Sequence, residues 1–389
     1  MNSPKSRPRE RGLRCRHILT MEKDCPLVED GMLLIRGEHV VDAGPYRELK
    51  KSWSGPVEDM GPGTLAPGPI NAHTHLELSH LKGRTVLGQG FPTWVRSLVH
   101  LLPEEVNAAS LHEAVAELRE CGTACAADIT GHSPERIYSH LRDSGMDYLL
   151  CKEVLGFSPV KSLREVWPKA LHPDRDNRIT LSGHALYSTH PGNLQLGKTW
   201  TNGKKRPFPL HLAESPEEVE LLATGRGGLA DLLQGALLPE GYVAPGLSPV
   251  QYADQLGLLD EGTLAVHCVQ VEEGDIRILS ERGATVCLCP RSNASISVGT
   301  APWRAMRAAG IPLCLGTDSL ASNQDLDVWR ELEFLLARTP EPISLEEAVS
   351  MVTVHPARIL GLYPELGTLE PGARACVSLV PSEVLQRLA

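Results

Sequence analysis

Eight short, largely apolar runs recur between residues 70 and 318, and they restrict the fold more than any other feature of the chain. They are Ile70–His75, Thr123–Thr130, Tyr148–Gly156, Ile179–Leu186, Pro209–Glu214, Thr263–Val269, Ala284–Pro290 and Pro312–Asp318. Between most of them lie stretches with apolar residues three and four apart, such as Leu111–Glu120, Glu217–Ala223, Ile276–Arg282 and Trp303–Ala309. That spacing gives a helix one apolar stripe, whereas the short runs read as buried strands. Strands alternating with helices pair in parallel through crossovers. Eight such units in about 300 residues predict an α/β fold of the (β/α)8, TIM-like type. A doubly wound open sheet would carry a Gly-rich phosphate turn after its first strand. His73-Thr74-His75 stands there instead.

The flanks predict a second, smaller unit. Residues 31–44 read as a β-hairpin with Gly37 in the turn, and Gly61–Pro69 holds three Pro and three Gly, marking a boundary. Ser344 to about Leu360 reads as one last helix opened by a capping box, Ser344-Leu345-Glu346-Glu347. Leu366–Pro381 then returns to strand-like spacing. The expected organisation is residues 1–65 and 366–389 forming a small β-sandwich domain from both ends, beside a barrel over 66–365.

A net charge of −10 argues against nucleic acid as a partner, because nonspecific binding needs a basic surface. No run of 18 apolar residues occurs, so no membrane-spanning helix is expected. The first 16 residues carry six Lys/Arg without an apolar run behind them, which reads as a frayed basic terminus rather than a secretory signal. The ten Cys sit mostly in apolar runs, as in Thr285-Val286-Cys287-Leu288-Cys289, and form no CxxC pair. Reduced thiols in the cytoplasm are expected.

His73 and His75, two apart at the end of the first run, would project from one face of a strand into the barrel mouth. Barrel enzymes keep their chemistry at that end of the strands. His211, His267 and Asp318 fall at the ends of the fifth, sixth and eighth runs. Imidazole and carboxylate donors of this kind suit Zn²⁺, with Fe²⁺ or Mn²⁺ as alternatives. Glu214 follows His211 by three, where the fifth strand hands over to a helix, and Ser215-Pro216-Glu217-Glu218 supplies that helix with a cap, a first-turn Pro and a capping-box Glu. A carboxylate there can serve as base and then acid in hydrolysis. Cys268 should point away from His267 and pack. His80, His100, His112, His132, His140 and His190 lack a strand-end setting, and His355 on the last helix reads as structural.

These residues resemble the amidohydrolase superfamily, and more narrowly its mononuclear deaminase branch. Within it, His75-Leu76-Glu77-Leu78-Ser79, Ala213-Glu214-Ser215-Pro216-Glu217-Glu218-Val219-Glu220, Cys289-Pro290-Arg291-Ser292-Asn293 and Gly316-Thr317-Asp318-Ser319-Leu320-Ala321-Ser322-Asn323 resemble the aminodeoxyfutalosine deaminases of menaquinone biosynthesis. The resemblance implies one divalent ion on His73, His75, His211 and Asp318, with Glu214 as proton shuttle and His267 as an orienting group. It implies substrate contacts from His184, at the end of the fourth run, and from Glu77 and Asn293 in the quoted stretches. That run contains no Lys to bridge a second ion. Trp94 could stack on a ring, and Arg84, Arg96 or Arg291 could meet a substrate carboxylate. The implied reaction is hydrolytic deamination of a 6-aminopurine nucleoside derivative, with 6-amino-6-deoxyfutalosine as the substrate that these stretches favour. The alternatives are S-adenosylhomocysteine/methylthioadenosine or guanine deamination, or hydrolysis of another C–N or a C–Cl bond. Expected partners are the small-molecule nucleoside and, at most, a second copy of the chain in a homodimer.

Overall fold

The computed structural model describes residues 10–24, 26–235, 237–338 and 342–388. Two sheets organise it. The smaller is a six-stranded mixed sheet, built from β1 (Glu10–Leu19), β2 (Leu27–Arg36), β3 (His39–Pro45), β4 (Val57–Asp59), β5 (Thr64–Pro67) and, far along the chain, β14 (Val377–Leu379). β1 is its spine, antiparallel to β2 and parallel to both β4 and β5. The hairpin β2–β3 turns at Gly37, whose φ of +64° needs no Cβ in the way. Leu13, Cys15, Ile18, Leu33, Ile35 and Leu65 form the core of this unit.

The expectation of a frayed basic terminus is corrected for residues 10–16. They lie in β1, where Leu13 and Cys15 alternate inward and Arg14 reaches Asp30 at 2.8 Å. A strand needs only every second residue to be apolar, so the basic residues mask it. Residues 1–9 lie outside the described residues, as does Cys25. The nine described cysteines are free.

The larger sheet is the parallel barrel. β6 (Ile70–Thr74), β7 (Cys125–Thr130), β8 (Asp147–Val154), β9 (Ile179–Gly183), β10 (Phe208–Leu212), β11 (Thr263–His267), β12 (Thr285–Leu288) and β13 (Leu313–Leu315) follow one another in chain order around it. A parallel bridge between Thr74 and Asp318 and the bond from Asp318 N–H to His73 O (3.0 Å) join the two ends. Barrel strands are buried on both sides, which is why they read as nearly continuous apolar runs.

The single last helix expected over 344–360 is two helices, Leu345–Ser350 and Val354–Ile359. Ser344 caps the first by accepting from Glu347 N–H, while the Glu347 carboxylate pairs with Arg307 instead of closing the box. Pro356 has no N–H for the carbonyl of Val352, and that carbonyl accepts from Ile70 N–H of β6 at 2.7 Å. The break thereby fastens the last helical segment to the first barrel strand. A short helix, Ser382–Leu388, follows β14 and was not legible in the sequence. Among the described residues no helix is long and apolar enough to cross a membrane.

Candidate active site

The C-terminal ends of the barrel strands bring five of the singled-out side chains together. His73 Nε2 lies 3.1 Å from His75 Nε2, which lies 3.3 Å from His211 Nε2. Asp318 Oδ1 is 3.7 Å from His73 Nε2 and 3.6 Å from His75 Nε2. His267 stands beside them, its ring 5.5 Å from that of His211. Burial pushes His73, His211 and His267 below the ordinary histidine range, so their rings are neutral. His211 directs its Nδ1 at His184 O (2.9 Å), which leaves Nε2 as a lone-pair donor aimed at the cluster.

This donor set fits a divalent ion. Nitrogens facing each other without intervening acceptors are poor hydrogen-bond partners, yet separations of 3.1–3.7 Å match the edges of a tetrahedron of ligands around an ion with bonds of ~2.0–2.1 Å. His73, His75, His211 and Asp318 are the residues that would hold it.

Backbone conformation aims these groups. Ala213, His267, Cys268 and Asp318 have φ between +46° and +73°, in the left-handed region that non-glycine residues seldom adopt. Three barrel strands thus end in a sharp turn that lifts a side chain into the mouth. Ser292 and Ser322 hydroxyls hold Asp318 Oδ2 at 2.6 and 2.8 Å, and Asn293 Oδ1 accepts from His267 Nδ1 at 2.9 Å.

Glu214 is 5% exposed, with Oε1 3.5 Å from His267 Nε2. Burial and the nearby Asp318 hold its carboxyl well above the usual range. Ser215 caps the following helix, Pro216–Thr224, as expected. Glu218, however, accepts from the backbone N–H groups of Ala213 (3.1 Å) and Glu214 (2.7 Å) rather than completing a capping box. The turn at Ala213 exposes these donors, and Glu218 clamps the peptide that carries Glu214. Burial raises Glu218 to about 8.

The remaining candidates divide. His184 lines the cavity above the cluster, its Nδ1 2.5 Å from Ser188 Oγ, and burial lowers its pKa to about 4. Trp94 also lines it, with its indole N–H bonded to Ala321 O at 3.1 Å. Glu77 lines the cavity but its carboxylate is occupied by Thr130 Oγ1 and the N–H groups of Gly131, His132 and Ser133. Two candidates lie outside the cavity lining. Asn293 sits behind His267, and Arg291 grips Asp325 through two bonds of 2.6 and 2.8 Å. Arg84 pairs with Glu104 on the surface, and Arg96 is exposed. No Lys or Arg is among the described residues lining the cavity. Its upper wall is apolar, with Phe91, Trp94 and Leu98 facing Leu229 and Leu233.

Two cavity residues went unrecognised in the sequence. His132, expected at a surface or packing position, lines the cavity because β7 ends just before it, at Thr130. Glu153, at the end of β8, is buried in the cavity wall and raised to about 7 by burial. A lone acid closing an apolar run was the available signal. His355 donates from Nδ1 to Leu313 O (2.8 Å), away from the cavity.

Comparison with known proteins agrees with this architecture. The chain is 31% identical to the aminodeoxyfutalosine deaminase of Deinococcus radiodurans over 320 residues, covering 78% of this chain and 75% of that protein. It is 29% identical to the 5-methylthioadenosine/S-adenosylhomocysteine deaminase of Moorella thermoacetica, over 92% and 84% of the two chains. Among solved structures, Helicobacter pylori aminofutalosine deaminase in complex with methylthio-coformycin superposes with a TM-score of 0.82 at 21% identity, over 97% of this chain and 95% of that one. A zinc-bound adenosine deaminase from Xanthomonas campestris gives 0.78 at 23%, over 96% and 85%. The amidohydrolase family profile matches residues 64–387, nearly the whole barrel and the returning strand, and the chain therefore belongs to the amidohydrolase family.

Proposed function

We propose that this amidohydrolase is a hydrolytic deaminase of 6-aminopurine nucleosides that works with one divalent ion, Zn²⁺ or Fe²⁺, on His73, His75, His211 and Asp318. The observation that carries the reading is the Glu214 carboxyl, buried 3.5 Å from His267 beside the four-donor cluster. Bound there, the ion supplies Lewis acidity that lowers the pKa of a water toward neutrality. Glu214 takes the proton from the attacking water and delivers it to a ring nitrogen of the purine. His267, fixed through Nδ1 by Asn293, presents Nε2 to the developing negative charge. Asp318, held by two serine hydroxyls, keeps its other oxygen toward the cluster. The water oxygen bonds to the amino-bearing carbon; Glu214 then passes the remaining hydroxyl proton to the amino group, the C–N bond breaks, and ammonia leaves as the carbonyl forms.

For the group on the sugar, the Deinococcus radiodurans relative supports aminodeoxyfutalosine. A second reading, a methylthioadenosine-type substrate, is favoured by the cavity lining, which is apolar above the cluster and offers no cation to a carboxylate. The free thiols support a cytoplasmic setting. Ammonia release from adenosine, methylthioadenosine, S-adenosylhomocysteine, aminodeoxyfutalosine and guanine tests the proposal. Release from 6-aminopurine nucleosides is expected, and the order of kcat/KM values chooses between the two substrates. Protein loaded with Zn²⁺ or Fe²⁺ that releases no ammonia from any of them overturns the deaminase reading.

A further inference from the structure

We propose that Glu153, at the end of β8, accepts a hydrogen bond from a hydroxyl on the sugar of the substrate and so determines specificity for ribonucleosides. The inference rests on the nucleoside reading above.

Glu153 is only 6% exposed, yet it lines the cavity, and among the described residues its Oε1 has no hydrogen-bond partner. The nearest donors are engaged elsewhere, and the His132 ring shares the cavity without bonding to it. His211 Nδ1, 3.8 Å away, directs itself to His184 O at 2.9 Å. Lys152 Nζ lies on the backbone carbonyls of Glu153 and Gly131, at 2.5 and 3.3 Å. The backbone donors that follow β7 all go to Glu77. The contrast with Glu77 and Glu218 is direct, since each of those buried carboxyls is satisfied from within the chain. Asp128 also keeps an oxygen without a partner, but it does not line the cavity.

A buried polar oxygen left without a donor is costly, and its persistence in a ligand cavity calls for a donor brought by the ligand. Local backbone preserves the space. A Cβ placed on Gly131 would come within 3.1 Å of Glu153 Oε2. Glu153 stands on the His184 side of the mouth, beside His211 and outside the group formed by Glu214, His267 and Asp318. Its ligand atoms cluster with those of His184 and His211, whereas Glu214, His267 and Asp318 form a separate cluster. A residue so placed meets a portion of the substrate other than the one that faces Glu214 and Asp318.

The chemistry of a 6-aminopurine nucleoside names that portion. Its unsubstituted ring nitrogens are acceptors, and its amino group is consumed at the reacting centre. The sugar hydroxyls are the donors that remain. Charged or neutral, a carboxyl keeps an oxygen that can accept from them.

The test compares kcat/KM for a ribonucleoside and its 2′-deoxy and 3′-deoxy counterparts in the zinc-loaded wild type, Glu153→Ala and Glu153→Gln. The wild type should favour the ribonucleoside over one deoxy analogue by ~10–100-fold, a range set by a hydrogen bond to an ionisable group. Glu153→Ala should lose that factor on the ribonucleoside, chiefly in KM, and lose far less on the same deoxy analogue, so that the preference between the two collapses. Glu153→Gln keeps an acceptor oxygen and should retain most of the preference. Equal losses on ribo and deoxy substrates, or a wild type indifferent to both hydroxyls, overturn the role of Glu153 while leaving the deaminase reading intact. A wild type that turns over no nucleoside at all overturns that reading and this inference together.

Discussion

At the scale of single residues, the site is built from groups held where they would not go by preference. Non-glycine residues at φ between +46° and +73° cost on the order of 1–3 kcal/mol each, and among them Ala213, His267, Cys268 and Asp318 lie next to or within the donor cluster. Glu218 shows how one is retained, since its carboxyl binds the two N–H groups that the turn at Ala213 exposes. If Glu214 is the proton shuttle, Glu214→Gln should cut kcat by ~10²–10⁴-fold with the ion content unchanged. Ammonia release and metal analysis on the same sample check this, and a variant keeping most of its rate would remove Glu214 from the role. Glu218 carries a pH prediction. Its pKa is about 8 in the fold against 4.5 ordinarily, so between those values the folded chain binds the extra proton. Its contribution to stability is fully present below pH 4.5 and fades as pH rises through about 8. Glu218→Gln should therefore flatten the fall of stability between pH 5 and 8, a difference on the order of 1–3 kcal/mol. Denaturant unfolding of metal-free protein at both pH values would show an undiminished slope if the idea is wrong.

At the scale of elements, the barrel was legible because its strands are buried on both faces and announce themselves as apolar runs. That His73, His75, His211 and Asp318 would meet was legible for a related reason, since they are polar residues at or just beyond the ends of such runs. What hid were features whose meaning depends on a partner elsewhere in the chain. β1 was masked by alternating arginines until its pairing with β2 was seen. The break at Met351–Thr353 depends on Ile70, whose N–H donates to the Val352 carbonyl that Pro356 leaves free. Arg291 reads as a substrate contact because it follows the seventh strand, but the loop and helix after β13 supply Asp325 and Glu331 to it. The helix that follows Glu214 also has a measurable start. Ser215 Oγ accepts from Glu218 N–H at 3.1 Å, so Ser215→Ala should lower stability by ~1 kcal/mol. Equilibrium unfolding of both proteins measures it. A smaller loss in kcat than for Glu214→Gln is expected, because Glu218 still clamps the turn.

At the scale of the whole molecule, the proposed ion would tie together distant parts of one closed sheet. Its four holders come from the first barrel strand, from β10 and from the segment after β13, and His73 and Asp318 already meet across the seam through the bond from Asp318 N–H to His73 O. An ion bound there is bound by the closed barrel and not by the unfolded chain, so its binding free energy adds to folding stability. At a free ion concentration 1,000 times the dissociation constant the gain is about 4 kcal/mol. Removing the ion with a chelator should therefore lower the unfolding midpoint by several degrees, and Zn²⁺ should restore it at one equivalent per chain. His211→Ala should shrink this chelator-dependent shift, since it removes one of the four holders of the ion. Calorimetry alongside metal analysis reads both quantities. Two ions per chain, or a midpoint indifferent to complete removal of the metal, would show that the four residues do not act as a single mononuclear site closing the barrel.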